Sequence, residues 1–133
     1  MPHGGTAEFA KQLAVDEHIV VETLAMQDQD GKPLLILMHG NRQVSLKNLA
    51  REINAKKVEP CQPEVAERHT GYQISGPSPF ATRKSVPIYV ERMVLALPTI
   101  FMNGGRHGFL VEISPAALSN LLCAQPVGCA ALV

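Results

Sequence analysis

The sequence predicts an α+β domain in which short helices flank a mixed, curled and barrel-like β-sheet. Three observations favour this class: apolar strand-like runs and helical patterns mix without regular alternation, hairpin signals join neighbouring runs, and no internal repeat or low-complexity segment is present. A chain of 133 residues is long enough to bury a core and fits one domain. We therefore expect a single domain over residues 1–133.

The N-terminal part predicts one short helix followed by a β-hairpin. Thr6 can cap a helix whose apolar side includes Leu13. Apolar and β-branched runs at 18–27 and 33–39 then predict two strands. Asp30-Gly31 lies between these runs and is a dipeptide that tight hairpin turns favour. We expect the two strands to pair antiparallel.

The middle of the chain predicts two helices separated by a short strand. Ser45 can cap a helix over 45–53, because apolar residues such as Leu49 recur there at helical spacing. A short strand is expected over 55–60. Another short helix is expected over 62–69, with a proline near its first turn.

The last third predicts strands around a tight glycine corner, then a helix and a closing strand. Ser114, with Pro115 behind it, is a suitable start for that helix. The expected elements are strands over 86–91, 99–103 and 109–114, a turn over 104–108, a helix over 115–122 and a strand over 127–133.

Charge and hydropathy limit the environments that the chain suits. Lysine plus arginine equals aspartate plus glutamate at 12 each, so no global field attracts nucleic acid, and any RNA contact requires a local patch. No apolar run approaches the roughly 18 to 20 residues that cross a bilayer, and the N-terminus lacks a signal-peptide pattern. We expect a cytoplasmic protein without a membrane partner.

Several familiar catalytic and metal-binding patterns are missing from the sequence. It has no phosphate-binding P-loop, no H-E-x-x-H helix and no G-x-S-x-G elbow. The histidines are scattered singly, which favours packed or surface roles over metal ligation, and the three cysteines are expected to be free, buried or half-buried thiols. These residues are His3, His18, His39, His69, His107, Cys61, Cys123 and Cys129. No metal or organic cofactor is implied.

Two glycine-rich corners remain as candidate binding loops. In "GYQISGPSPF", residues 71–80, two prolines fix φ and Gly76 can take a positive φ, so the loop offers backbone donors in a rigid frame. In "MNGGRHG", residues 102–108, adjacent glycines allow close approach of a ligand, and Arg106 can contact a phosphate. Each corner taken alone is better explained as a structural turn, because glycine-rich turns are common between strands.

The two corners together, in their order along the chain, resemble the YbaK family, the aminoacyl-tRNA deacylases related to the editing domain inserted in bacterial prolyl-tRNA synthetases. The resemblance covers about 17–122. The family pattern T-G-Y-x-x-G-G-x-S-P and the later G-G-x-x-G corner match at Thr70, Gly71, Tyr72, Gly76, Ser78, Pro79, Gly104, Gly105 and Gly108. The helix after the hairpin carries the family's L-K pair at Leu46 and Lys47. Relative to the family, the chain begins late.

The resemblance implies a compact α+β domain that binds the 3′ end of a mischarged tRNA and hydrolyses the ester of the wrong amino acid. The implied substrates are of the Cys-tRNA(Pro) or Ala-tRNA(Pro) type, and the action is in trans. Such editing is needed because a synthetase pocket separates amino acids that differ by a small apolar group only about 10- to 200-fold. The rigid loop would then form one wall of a small pocket, with substrate groups supplying much of the acid and base chemistry.

Two residues depart from the family pattern. Glu22 stands where the family has a functionally central lysine, and Ser75 replaces the first glycine of the pair, which narrows the pocket and favours a small amino acid. Three interpretations of Glu22 stay open. It binds the substrate's α-ammonium group or acts as a general base; it marks loss of the original chemistry; or it is a solvated strand residue and the correspondence is displaced by one.

The resemblance also implies the site residues. The expected catalytic positions are Glu22, Ser75 and Gly76. Substrate contacts are expected from Thr23, Ser78, Pro79, Gly104 and Gly105. Contacts to tRNA phosphate are expected from Lys47, Arg51, Arg83, Lys84 and Arg106, although a solvated helix face explains Lys47 and Arg51 equally well.

The implied partners are aminoacyl-tRNA and, as a second candidate, an aminoacyl-tRNA synthetase. A different hypothesis is a catalytically impaired module that binds tRNA or a synthetase. A third, a small-molecule hydrolase that uses the same pocket, is weaker because no nucleophile is evident.

Overall fold

The computed structural model describes residues 10–61, 86–103 and 110–131. Residues 10–13 are helical and are followed by a 3₁₀ turn, η1 (Glu17–Ile19). The other elements, in chain order, are β1 (Val20–Asp28), β2 (Pro33–His39), β3 (Gln43–Val44), α1 (Leu46–Glu52), β4 (Val58–Pro60), β5 (Ile88–Glu91), η2 (Arg92–Ala96), β6 (Ile100–Asn103), β7 (Leu110–Ile113), α2 (Ala116–Leu122), β8 (Gln125–Val127) and β9 (Ala130–Ala131). The predicted helix over 62–69 and the turn over 104–108 lie outside these residues.

The main sheet is mixed, which confirms the predicted α+β class. Its strand order is β7-β6-β1-β2-β5-β8, and β4 also pairs with β1. The β1–β2, β1–β4 and β6–β7 pairs are antiparallel, whereas β1–β6, β2–β5 and β5–β8 are parallel. No strand pairing joins β7 to β8 among the described residues, so the sheet is open there. A second, two-stranded sheet consists of β3 and β9.

The predicted hairpin is confirmed as the centre of this sheet. β1 and β2 pair antiparallel from Val21 opposite His39 to Gln27 opposite Pro33. The turn is fixed by Asp28, whose carboxylate accepts hydrogen bonds from the amides of Asp30 and Lys32, both at 2.9 Å. A positive φ of 75° at Gly31 is a conformation that glycine adopts without steric cost.

Both described α-helices begin near the residues that the sequence indicates. The Ser45 hydroxyl accepts a hydrogen bond from the Asn48 amide at 3.2 Å and so caps α1. At α2, Pro115 occupies the N-cap position. The helix ends at Cys123, whose φ of 54° is the left-handed conformation that often ends helices.

The prediction of one continuous closing strand over 127–133 is wrong. The chain instead forms β8 and β9, which belong to different sheets and are separated by Gly128 and Cys129. The reason is a buried carboxylate: Glu91 Oε1 accepts hydrogen bonds from the amides of Cys129 at 2.8 Å and Ala130 at 2.9 Å. These amides are therefore drawn away from the ladder that a continuous strand would form.

Apolar side chains form two clusters, which correspond to the two faces of β1 and β2. One cluster joins Met26, Ile36 and Met38 to Leu49 of α1. The other joins residues such as Val21 and Leu37 to α2, through Leu118. Because side chains alternate along a strand, each face of the hairpin carries its own core.

Candidate functional site

Among the described residues, the centre of β1 has a gap along one of its edges. On the side away from β2, β6 pairs with Val20 and Val21, while β4 pairs with Met26 to Asp28. The Cys61 amide adds one further hydrogen bond, to the Ala25 carbonyl at 3.1 Å. The segment 22–24 therefore lies between the ends of two neighbouring strands.

Described residues from three other segments lie close to 22–25. Cys61 lies beside Ala25, and Asn103 follows Met102, which pairs with Val21. The Pro87 carbonyl accepts from the Leu35 amide at 2.9 Å, directly across the hairpin from Ala25. The corners at 71–80 and 104–108 lie outside the described residues.

Glu22 and Thr23 are both buried, at 9% and 8% exposure. The interpretation of Glu22 as a solvated strand residue is therefore wrong. The two side chains lie on opposite faces of the sheet, since Glu22 is paired with Met38 and Thr23 with Leu37, members of different clusters. A ligand on one face can meet only one of these two side chains, so they do not line one pocket together.

A pair of histidines lies next to Thr23 on its face of the hairpin. His18 and His39 stack with ring centroids 3.9 Å apart and an interplanar angle of 6°, so these two are not isolated in space. His39 Nδ1 is 2.9 Å from the His18 carbonyl oxygen. A carbonyl can only accept, so Nδ1 donates and Nε2 of the neutral ring is left as an acceptor. Burial lowers the pKa of His39, which favours this neutral form.

Two buried polar atoms on this face lack a hydrogen-bond partner among the described residues. They are Nε2 of His39 and Oγ1 of Thr23. Their strand positions are diagonal neighbours, because Val21 is opposite His39 and Thr23 is opposite Leu37. Buried polar groups are normally satisfied, so these two atoms are suited to hydrogen-bond with a group outside the described residues. In the sequence, His39 is an isolated histidine with no other signal of a role.

The predicted tRNA contacts on α1 lie elsewhere. Lys47 and Arg51 are exposed and line a separate groove at the start of β4. Lys56 and Lys57 also line it, although no sequence motif includes them. Their only signal is the adjacency of two lysines after the helix. The other predicted site residues lie outside the described residues: Ser75, Gly76, Ser78, Pro79, Arg83, Lys84, Gly104, Gly105 and Arg106.

The cysteines are free thiols, as predicted, but their exposure differs from the prediction at one position. Cys129 is buried and Cys61 half-buried, whereas Cys123 is exposed at the end of α2. Burial, with Glu91 and Glu52 nearby, raises the pKa of Cys129 to about 12. A thiol with that pKa is a poor nucleophile at neutral pH.

The comparison with protein families agrees with the fold. The model of the family described as "Aminoacyl-tRNA editing domain" matches residues 2–121. The chain belongs to this family. Among the described residues, no helix combines the length and the apolar character that a membrane crossing requires.

Individual relatives are similar at moderate identity. A protein of Enterococcus faecalis with the provisional name Cys-tRNA(Pro)/Cys-tRNA(Cys) deacylase EbsC is 28% identical over 123 residues, which are 92% of this chain and 75% of that protein. Proline–tRNA ligase of Streptococcus equi subsp. equi is 28% identical over 109 residues, 81% of this chain but 18% of the ligase.

Solved structures show the same fold. A crystal structure provisionally described as a trans-editing enzyme for prolyl tRNA synthetase has a TM-score of 0.87 at 23% identity and covers 96% of this chain and 80% of its own. A crystal structure of a hypothetical protein has a TM-score of 0.88 at 25% identity and covers 95% and 83%.

Proposed function

We propose that this protein is a trans-editing aminoacyl-tRNA deacylase that hydrolyses the ester between a wrong amino acid and the terminal ribose of tRNA. The observation that carries the proposal is membership of the aminoacyl-tRNA editing domain family over residues 2–121. The E. faecalis protein that is named as a deacylase supports action as a separate protein, because this chain matches 75% of the length of that protein. The proposal treats residues 1–133 as one editing domain that acts in the cytoplasm.

The proposed site is the gap along β1 at 22–24. The 3′ end of the tRNA enters between the ends of β6 and β4. Water attacks the ester carbonyl, a tetrahedral intermediate forms, and the ribose oxygen leaves with a proton to give free amino acid and tRNA. Backbone amides of the corners that carry Ser75, Gly76, Gly104 and Gly105 are the proposed donors to the developing oxyanion.

Glu22 is the proposed contact for the substrate's α-ammonium group. It is a buried carboxylate at the centre of the gap, and a buried carboxylate suits a cationic ligand because the opposite charge offsets its desolvation. The sugar hydroxyl next to the ester is the proposed proton relay, since the described residues offer no activated nucleophile. The amino acid removed is small, of the Cys-tRNA(Pro) or Ala-tRNA(Pro) type.

A catalytically impaired binding module is the second candidate. It is favoured by Glu22, an anion at the position where the family has a central lysine. A protein of this kind would hold tRNA or a synthetase without turnover.

Hydrolysis of a panel of radiolabelled aminoacyl-tRNAs, correctly and wrongly charged, separates the two candidates. We expect purified wild-type protein to clear at least one mischarged species faster than spontaneous hydrolysis. Glu22→Lys and Ser75→Gly are tested in parallel. If only these variants act, the pocket has kept its shape but lost its chemistry, and the binding module is the better explanation.

A further inference from the structure

A basic groove lies beside α1, away from the gap in β1. Its volume is about 460 Å³, and its ionisable lining residues are Lys47, Arg51, Lys56 and Lys57. All four are exposed cations. The chain as a whole has no net charge, so this concentration of positive charge is local.

Carboxylates near the groove neutralise little of this charge. Glu59 is 3.4 Å from Lys57, but both side chains are largely exposed, and such surface pairs are weak. Glu52 instead faces Arg92, at 3.5 Å, and accepts a hydrogen bond from the Gly128 amide at 2.9 Å. Among the described residues that line the groove, none is acidic.

The backbone places the four cationic residues beside one another. Lys47 and Arg51 are four residues apart, on one side of α1. The helix is followed by a turn in which Asn54 has a φ of 61° and the Ala55 amide donates to the Ala50 carbonyl at 2.9 Å. This turn brings the lysine pair back beside the helix.

Two further features affect these cations. One is a hydrogen bond that ties the turn to the hairpin, and the other is repulsion between like charges. The Lys56 amide donates to Gln29 Oε1 at 3.1 Å, which ties the turn to the hairpin. Like charges four residues apart on a helix repel, as at Lys47 and Arg51. An anion bound in the groove would relieve that repulsion.

We propose that this groove binds the sugar-phosphate backbone of the tRNA acceptor arm, at a distance from the ester. The proposal rests on the proposed function, which supplies tRNA as the polyanion. Val58, at the groove, is paired with Asp28, and Glu22 lies six residues earlier on β1. At about 3.3 Å per residue, the distance along β1 from Glu22 to Asp28, beside the groove, is about 20 Å. The groove therefore contacts nucleotides, and the gap contacts the aminoacyl group.

The test compares Lys56→Gln/Lys57→Gln and Lys47→Gln/Arg51→Gln with Lys11→Gln, a matched removal of an exposed lysine outside the groove. The affinity for uncharged tRNA is measured from low to high salt. Each cation removed from a phosphate is expected to reduce the slope of log K against log salt by about one. The slope of each double variant should therefore fall by about two, whereas Lys11→Gln should match wild type.

A second readout separates groove binding from catalysis. Wild type and the double variants are each assayed for hydrolysis of two substrates. One is an aminoacyl ester of the terminal C-C-A trinucleotide, and the other is full-length tRNA that carries the same amino acid. We expect unchanged rates on the trinucleotide and lower kcat/KM on full-length tRNA. Unchanged tRNA affinity and salt slope in both double variants would overturn the groove proposal. Failure of wild type to cleave either substrate would instead overturn the deacylase proposal, while tRNA binding still tests the groove.

Discussion

Glu22 is the residue that the proposed mechanism assigns to the substrate's α-ammonium group. It is buried in the middle of β1, in the gap between β6 and β4. Burial excludes a purely solvated role and leaves two alternatives, a contact to substrate and a remnant of lost chemistry. A substitution that removes the charge but keeps the shape distinguishes them.

We predict that Glu22→Gln lowers kcat/KM for the best charged tRNA by about 10- to 100-fold. A hydrogen bond to a charged group contributes about 1.5 to 3 kcal/mol, and each 1.36 kcal/mol is about tenfold in rate. The measurement is deacylation under kcat/KM conditions, with the exposed Glu112→Gln as control. An unchanged rate in Glu22→Gln would remove the carboxylate from the mechanism.

The burial of His39 leads to a second prediction at the residue scale, which concerns how the free energy of unfolding depends on pH. Burial is the main cause that lowers its pKa below the usual 6.5; His18 and Arg42 act in the same direction, while the His18 carbonyl and Glu91 oppose it. The unfolded chain therefore binds more protons than the folded protein as pH falls below about 6.5. The free energy of unfolding should decrease through that window and level off below the folded-state pKa.

His39→Asn should remove this contribution, because asparagine keeps a donor near the position of Nδ1 but does not titrate. Urea unfolding of both proteins between about pH 7.5 and pH 5, which spans the usual histidine pKa, measures the difference. We expect the wild type to lose more free energy of unfolding than His39→Asn as the pH falls. Parallel profiles would show that His39 does not titrate differently in the folded and unfolded states.

At the scale of elements, Glu91 determines how the C-terminal segment is divided. Its carboxylate accepts from the amide of Met93 at 3.0 Å as well as from Cys129 and Ala130, so it joins β5, η2 and the β8–β9 corner. All three donors are backbone amides, and Glu91 is only 3% exposed. The carboxylate therefore satisfies three backbone amides, one in η2 and two at the β8–β9 corner.

We predict that Glu91→Gln lowers the free energy of unfolding by about 2 to 3 kcal/mol, because one acceptor oxygen is replaced by a donor that faces backbone amides. Urea titration monitored by circular dichroism measures this loss. Glu112→Gln is again the control and should change stability by less than about 0.5 kcal/mol. Equal midpoints for the two variants would mean that these hydrogen bonds are replaced by water at little cost.

Local signals account for the elements that were predicted, and distant contacts account for those that were not. Asp30-Gly31 and the flanking apolar runs identify the hairpin, and Ser45 identifies the start of α1, because both depend on neighbouring residues. The break between β8 and β9 depends on Glu91, which is 38 residues from Cys129 in the sequence. No local pattern contains that information.

The same distinction holds for the candidate sites. The family motif indicates Glu22 and Thr23, and the structure adds that they face opposite cores. Lys56 and Lys57 join Lys47 and Arg51 only because the chain turns back at Asn54. Side-chain alternation can be predicted from the sequence, but the groove cannot.

At the scale of the whole molecule, the sheet separates two tasks. The gap in β1 is the proposed deacylation site, whereas the basic groove lies about 20 Å along the same strand. A protein with no net charge can in this way present a local cationic surface to tRNA while its pocket contains a carboxylate. In this account the gap carries out the reaction, and the groove strengthens the binding of full-length tRNA.

The most direct test of the editing activity is single-turnover hydrolysis of Cys-tRNA(Pro) and Ala-tRNA(Pro) against Pro-tRNA(Pro) by the wild-type protein. We predict that at least one mischarged tRNA loses its amino acid faster than it does spontaneously, while Pro-tRNA(Pro) is spared. Release of amino acid at the spontaneous rate from all three, by folded protein that binds tRNA, would contradict the proposed activity.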